Sequence, residues 1–450
     1  MPKHDKIQAF IQRGTEFLQK RAEPAEKLLQ DIALVESDVQ KLQKQKEALL
    51  ERKAFLKELL APFPEIYIGL SQLLVSLPPK NEISLQSLLA SCMPLPQTPI
   101  PAHWQSLGLN SQGFWHYLDT KTKVVLIHIP AGRFWLGASP EDKDAYDDEK
   151  PSQQVFLDEY FMAQTPLTCG QYKIFWENTK EKGRREELFS HVYEILGADE
   201  WLEYSKKLDW LGEKGWNFFY CSKENQDYTK AFFQNREEML SLLGKGLQWW
   251  TRPKKAPLAW EEYDDSHPAI GVSWLEAYSY CLWAGYRLPS EAQWEKAGKG
   301  GLFLDGEERA KVPNDKPKRV YPWGDVWDKN KCNNSELGLN RTTSVNDSRF
   351  DSGLSPYGCR DMAGNVWEWC LDLYDKNFYD TLKKTQETEI RNPVCLKTKG
   401  KEGFRVCRGG SWCGEPGFAR VSDRDGGHPA GRNDNVGFRV CAGVFLDSVL

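Results

Sequence analysis

The sequence predicts an α+β chain in which a helical, coiled-coil-like region precedes a mixed domain of short strands, capped helices and long loops. Three observations carry this. Residues 3–60 are rich in Lys, Glu, Gln and Leu, with apolar residues at helical spacing. From Val124 onward, apolar runs of strand length are separated by Gly, Pro and Asp turns. The same part of the chain carries helix-start signals, such as Ser273 followed by Glu276 ahead of an apolar run.

At 450 residues the chain is long enough for more than one domain, and its 18 Trp provide large rigid groups to fill an interior. A net charge of -5 argues against a dedicated nucleic-acid binder, which needs a basic field. No run approaches the roughly 18 apolar residues of a membrane span. Met1 to Phe10 lacks the apolar core of a signal peptide, so a cytoplasmic location is expected. The 11 Cys are scattered without a single CxxC, which argues against a zinc site and for reduced, buried thiols. Cys407 and Cys441 end two Gly-Phe-Arg-Val-Cys echoes, which leaves a disulfide between them open.

In order along the chain, Ile7, Phe10, Ile11, Phe17 and Leu18 mark a short amphipathic helix. After Pro24, the positions Leu28, Ile32, Val35, Val39, Leu42, Leu49, Leu56 and Leu60 form a heptad seam interrupted by Lys46 and Lys53. The seam packs within the chain or serves self-association or a partner helix. Residues 1–93 are therefore read as a helical region, and 94–123, opening with Pro94, Pro96, Pro99 and Pro101, as a stiff linker and approach. The main domain is placed at 124–450. Val124 to Pro130 reads as a buried strand that turns at Ala131-Gly132 into a hairpin partner, Arg133 to Gly137. The acidic stretch from Glu141 to Glu149 reads as a solvated loop, since it lacks the glycine and terminal glutamate of a helix-loop-helix calcium site. Val155 to Met162 reads as one strand, and Thr168 caps a helix from Cys169 to Trp176. Residues 177–262, charged and tryptophan-rich, are read as an insertion. Ser273 and Ser290 then cap two helices, and Tyr321 to Asp325 forms a tight aromatic turn.

The last hundred residues hold the candidate site. Phe404 to Trp412 and Gly437 to Cys441 alternate apolar and polar residues as half-buried strands do, while the stretch between them is polar and glycine-rich. A surface at 412–436, with Trp412, Cys413, Gly414, Glu415, Phe418, Asp423, Asp425, His428 and Asp434 as contact residues, is the expected ligand-binding face. Its shallow, polar character suits a protein or glycan ligand better than a small molecule in a deep pocket.

The chain resembles the formylglycine-generating enzyme (sulfatase-modifying factor) family. The resemblance rests on Ile129-Pro130-Ala131-Gly132-Arg133-Phe134, His267-Pro268 with Val272-Ser273-Trp274, and Arg287 to Glu295. Tyr321-Pro322-Trp323-Gly324, Asp361 to Trp369, Arg408 to Trp412 and Gly437 to Val440 follow in the family's order. It implies a C-type-lectin-like fold pinned by buried tryptophans, and a calcium site in which Asp361 and Glu368 give carboxylate oxygens and Gly364 and Val366 give carbonyls. It also implies, for the oxidase members, two cysteines shortly after the Gly-Gly-Ser element that bind copper. Here Cys413 follows Ser411 with one residue between, out of register, and no second cysteine occurs before Cys441. No catalytic residue and no redox metal are therefore expected, although a copper- or iron-dependent oxidoreductase of the formylglycine-generating or sulfoxide-synthase type is the alternative, and a structural accessory subunit another. A histidine cluster of the sulfoxide synthases is missing from the helical region, which offers only His4.

The resemblance extends to the variable proteins of diversity-generating retroelements, which carry a diversified ligand surface on this fold where 412–436 lies here. Arg420, Ser422, Arg424, Pro429, Arg432 and Gly437 would then be scaffold. Cys413, Gly414, Gly417, Phe418, Asp423, Asp425, Gly426, Gly427, His428, Gly431 and Asp434 would face the ligand. The expectation is a catalytically inactive, cytoplasmic ligand-binding protein whose helices at 3–60 mediate oligomerisation or partner binding.

Overall fold

A computed structural model describes residues 95–140, 142–179, 187–188, 265–304, 306, 314–385, 389–396, 403–429 and 431–443. The helical region expected at 1–93, its seam at 3–60 and nearly all of the insertion at 177–262 lie outside the described residues.

Among the described residues, strands form three sheets and helices pack between them. The first sheet has five strands in the order β1-β2-β3-β6-β11. These are β1 (Trp104–Leu109), β2 (Trp115–Asp119), β3 (Val125–Ile129), β6 (Tyr160–Ala163) and β11 (Cys441–Ala442). A two-stranded sheet pairs β4 (Gly132–Leu136) with β5 (Gln153–Leu157). The third sheet has four strands in the order β10-β7-β8-β9. They are β7 (Trp367–Leu373), β8 (Arg405–Arg408), β9 (Asp425–Gly427) and β10 (Val436–Phe438).

Local sequence sets the helices. Thr168 accepts from the Gln171 amide and starts α1 (Cys169–Asn178). Ser273 starts α2 (Trp274–Ala284) with Glu276 closing a capping box, and Gly285 ends it in the left-handed region at φ 75°. Ser290 and Gln293 do the same for α3 (Glu291–Lys299). A shorter helix, α4 (Phe378–Lys384), follows β7.

Three buried tryptophans sit where the sheets meet the helices, and their indole N–H groups find carbonyl or carboxylate partners. Trp274 donates to the Cys370 carbonyl at 2.7 Å, Trp369 to the Val272 carbonyl at 2.8 Å and Trp294 to Glu368 at 2.7 Å. Burying each such ring contributes on the order of 4 kcal/mol, and the satisfied N–H removes the usual cost of its polar atom.

The structure departs from the sequence reading at several places. The sheet-bearing body begins at Trp104, ahead of the expected boundary at 124, because β1 and β2 pair antiparallel and β2 pairs with β3. The expected hairpin between Val124–Pro130 and Arg133–Gly137 does not form. Pro130 and Ala131 carry the chain from one sheet to another, so β3 pairs with β6 and β4 with β5. The single strand expected over Val155–Met162 is two strands, broken at Asp158-Glu159, for the same reason. Cys407 and Cys441 do not meet: Cys407 opposes Trp369 in one sheet, Cys441 opposes Met162 in another, and both are free thiols.

Candidate ligand-binding face

The polar segment expected to lie on the surface is half interior. Arg420 and Arg432, with Arg408 and Arg439 at either end, are among the largest fully buried side chains of the described residues, and Arg424 is buried as well. Each is paired with a carboxylate from a distant element. Arg424 forks onto Glu291 through Nε at 2.6 Å and Nη2 at 2.8 Å. Arg420 forks onto Glu149 at 2.6 and 2.7 Å and also reaches Asp142 at 3.0 Å. Arg432 holds Glu276 through Nε at 2.9 Å, and Arg439 holds Glu368 through Nη2 at 2.6 Å. Arg408 pairs with Glu295, which also receives the Lys299 ammonium at 2.7 Å. Burial works against the Glu295 charge, but Lys299 and Arg408 outweigh it and hold the carboxyl below its usual range. The planar guanidinium fork makes such pairs tolerable in an interior where a lone charge would not be.

Two consequences correct the sequence reading. The acidic loop is not wholly solvated: Glu149 is fully buried, and Asp142 and Glu149 lock the loop onto Arg420. Asp423 and His428, expected on the binding face, are 1% and 8% exposed and belong to the interior. Burial, then the nearby Glu149 charge, pushes the Asp423 carboxyl up to about 8. Burial alone takes His428 down to about 3, so its imidazole is neutral.

What stays outside divides into two patches on opposite edge strands of the four-stranded sheet. Trp412, Cys413, Gly414, Glu415, Phe418 and Asp434 gather near β10, where Val436 opposes Trp367 of β7. Asp425 lies on β9 at the other edge, opposite Cys407. The face expected as one surface is therefore two.

The first patch is the better built. The Trp412 amide donates to the Asn365 carbonyl at 2.9 Å, and its indole N–H donates to the Asp434 carbonyl at 3.3 Å. Phe418 is 37% exposed and packs on Trp367 with ring centres 6.0 Å apart. Between them, the Asn435 amide donates to both Ser411 Oγ and Cys413 Sγ at 3.3 Å, and those two atoms lie 3.3 Å apart. Ser411, Asn435 and Trp367 were not among the contact residues expected from sequence. Asn435 lies two residues ahead of the Gly-Phe-Arg-Val strand and Trp367 inside the Asp361–Trp369 motif, so both had a signal of position, though none of role. Glycine at 410 is required here, because its φ is 70° and a Cβ would meet the Phe418 carbonyl at 2.7 Å.

The turn expected to hold calcium is tight, with Asp361, Gly364 and Asn365 at φ 53°, 74° and 63°. A Cβ on Gly364 would strike the Asn333 carbonyl at 2.2 Å, so only glycine fits. Asp361 accepts from the Asn365 amide at 3.0 Å. Burial pushes its carboxyl up to about 7, outweighing the Asn365 hydrogen bond and the pull of Arg439 and Arg360. Glu368 takes Trp294 and Arg439 on Oε2 and Arg439 again on Oε1, leaving one lone pair on Oε1 for anything else. Asp361 is an oxygen donor of the kind an oxygen-seeking cation takes, whereas the Gly364 carbonyl already accepts from the Val366 amide at 2.9 Å and Glu368 has little left to give.

Among the described residues Cys413 is the exposed thiol, and Cys169, Cys281, Cys332, Cys359, Cys370, Cys395, Cys407 and Cys441 are buried. Burial pushes the Cys359 and Cys441 thiols up to about 11 and Cys332 and Cys395 up to about 12, away from thiolate chemistry.

Comparison with known proteins gives the family. The sulfatase-modifying factor enzyme 1-like domain matches residues 118–443. The chain is 27% identical to the inactive C-alpha-formylglycine-generating enzyme 2 of Bos taurus, across 74% of this chain and 92% of that protein. It is 31% identical to the formylglycine-generating enzyme of Streptomyces coelicolor, across 72% of this chain and 90% of that protein. Among solved structures, PvdO from Pseudomonas aeruginosa is 17% identical with a TM-score of 0.46, covering 73% of this chain and 98% of that one. Variable protein 1 of Treponema denticola is 16% identical with a TM-score of 0.39, covering 76% of this chain and 99% of that one.

Proposed function

The chain belongs to the sulfatase-modifying factor enzyme 1-like family, and from that membership we propose that it is a non-catalytic member that binds a protein or glycan ligand. The contact surface is Trp412, Cys413, Gly414, Glu415, Phe418 and Asp434, joined by Asn435 and Trp367. The observation that carries the proposal is the lone exposed thiol on this surface. Cys413 Sγ is engaged by Asn435 and Ser411, and the other cysteines among the described residues are buried. A single thiol out of register with the oxidase pair cannot supply two soft ligands to copper. The surface beside it is shaped for contact: Trp412 and Phe418 offer partly exposed rings, and Glu415, Asp434 and Asn435 offer polar groups around them.

Asp423 and His428 hold the fold and are not part of this surface. The diversified-surface reading then narrows to the outward positions among those expected to vary. Calcium enters as a structural ion held by Asp361, Gly364, Val366 and, by its remaining lone pair, Glu368. It would ionise Asp361 and stiffen the turn that presents Asn365 to Trp412. The helices expected at 3–60 would couple binding to self-association or to a partner.

The test compares what the full chain and its Trp412→Ala/Phe418→Ala variant retain from a lysate of the source cells, read by quantitative mass spectrometry. A component held by the wild type and lost by a variant of equal melting temperature supports the proposal. Identical retention by both chains overturns it.

A further inference from the structure

Arg420 is buried and faces three carboxyl groups that come from two parts of the chain. Asp142 and Glu149 arrive from the acidic loop, at 3.0 Å and at 2.6 and 2.7 Å. Asp423 arrives from the segment of Arg420 itself and makes the weakest contact, Oδ1 to Nη2 at 3.3 Å. Its other oxygen, Oδ2, has no hydrogen-bond partner although the residue is 1% exposed. One guanidinium is shared among three carboxyl groups held from water, and Asp423 has the weakest share of it.

The charges around the group are unevenly placed. Arg408 donates to the Asp423 carbonyl at 2.6 Å and favours a negative side chain, but it is already paired with Glu295. Lys299 feels Glu149 from the α3 side and is itself bonded to Glu295. Glu149 and Asp425 press the other way. Burial first and Glu149 second push Asp423 up to about 8. The loop's further attachments do not involve Asp423: Arg424 donates to the Asp148 carbonyl at 2.9 Å, Tyr374 donates to its carboxylate at 2.8 Å, and the Ala138 amide donates to the Glu149 carbonyl at 2.9 Å.

We propose that Asp423 is a proton-operated latch for the acidic loop 142–149, holding the loop on Arg420 while protonated and loosening it when ionised. The sign follows from linkage. With the loop closed Asp423 keeps its proton up to about 8; with the loop open and the carboxyl in water it loses it near 4. Between those limits the closed form binds one more proton than the open form. Opening therefore becomes easier as pH rises, by at most about tenfold per pH unit, and levels off above the closed-state value. The latch is tightest in acid and loosest at pH 8 and beyond.

The experiment is amide hydrogen exchange of the full chain across 142–149 between about pH 5.5 and pH 9, corrected for the intrinsic exchange rate. The wild type should lose protection steadily and then reach a plateau. Asp423→Asn, which keeps shape and lacks the charge, should show no dependence. Asp425→Asn, at an exposed position, removes a repelling charge and should move the plateau to lower pH. Flat wild-type protection, or an equal slope in Asp423→Asn, overturns the proposal. Should Asp423→Asn fail to fold, an unmoved plateau in Asp425→Asn overturns it.

Discussion

Arg420, Arg424 and Arg432 share one polar segment with Cys413, Glu415 and Phe418, yet the two sets do opposite work. The arginines have their guanidinium groups inside the protein, on Glu149, Glu291 and Glu276. The other set stands at the surface beside β10, where Cys413 is held by Ser411 and Asn435. Polarity by itself therefore says little about exposure. What separates the two halves is whether a carboxylate from another element comes to meet the side chain. Arg408 donates to the carbonyls of Val421, Ser422 and Asp423 and so sets the course of the paired half after Phe418.

The sharpest way to break that contrast is to remove one buried partner. Arg424→Ala takes the forked partner from buried Glu291 and leaves it Arg408 at 3.5 Å, and should cost about 3 kcal/mol in urea unfolding, whereas Arg424→Met with Glu291→Leu should cost far less. Gly427 probes the same interior from β9. A Cβ there would stand 2.3 Å from the Trp369 ring, so Gly427→Ala should destabilise by about 1–3 kcal/mol despite its place in the segment expected to face a ligand.

Acid probes it through His428. Burial holds its folded pKa down at about 3, while the unfolded chain takes up that proton near 6.5. Stability from this group is whole above the unfolded value and is lost as pH falls toward the folded one, by at most about 1.4 kcal/mol per pH unit. Chemical unfolding of His428→Gln against wild type from pH 7 to pH 4 should show a shallower loss in the variant. The surface half should respond least. Cys413→Ser, Glu415→Lys and Phe418→Ala should each stay within about 0.5 kcal/mol of wild type in the same measurement, and alter binding alone.

Much of the scaffold was legible in the sequence. Thr168, Ser273 and Ser290 marked three helix starts because capping is a local matter of one side chain and amides up to three residues away. Arg420, Ser422, Arg424, Pro429 and Arg432 were assigned to the scaffold and are buried. Sheet membership was not legible. Val125–Ile129 and Gly132–Leu136 look like a hairpin because nothing in the intervening Pro-Ala shows that the chain changes sheets. Asp423 and the acidic loop were misplaced for a related reason. The group that settles Arg420 is Glu149, 271 residues earlier in the chain, and the one that settles Arg424 is Glu291, 133 residues earlier. Burial of a charge depends on a partner that a local reading does not supply.

The measurement that tests the central claim most directly is oxygen uptake by the full chain loaded with copper, in the presence of a cysteine-containing peptide, with aldehyde formation followed by mass spectrometry. The account predicts no oxygen consumption above that of free copper and an unchanged peptide. Stoichiometric copper, oxygen uptake and conversion of the cysteine, all abolished by Cys413→Ala, would contradict it and make the surface around Ser411, Cys413 and Asn435 an active site.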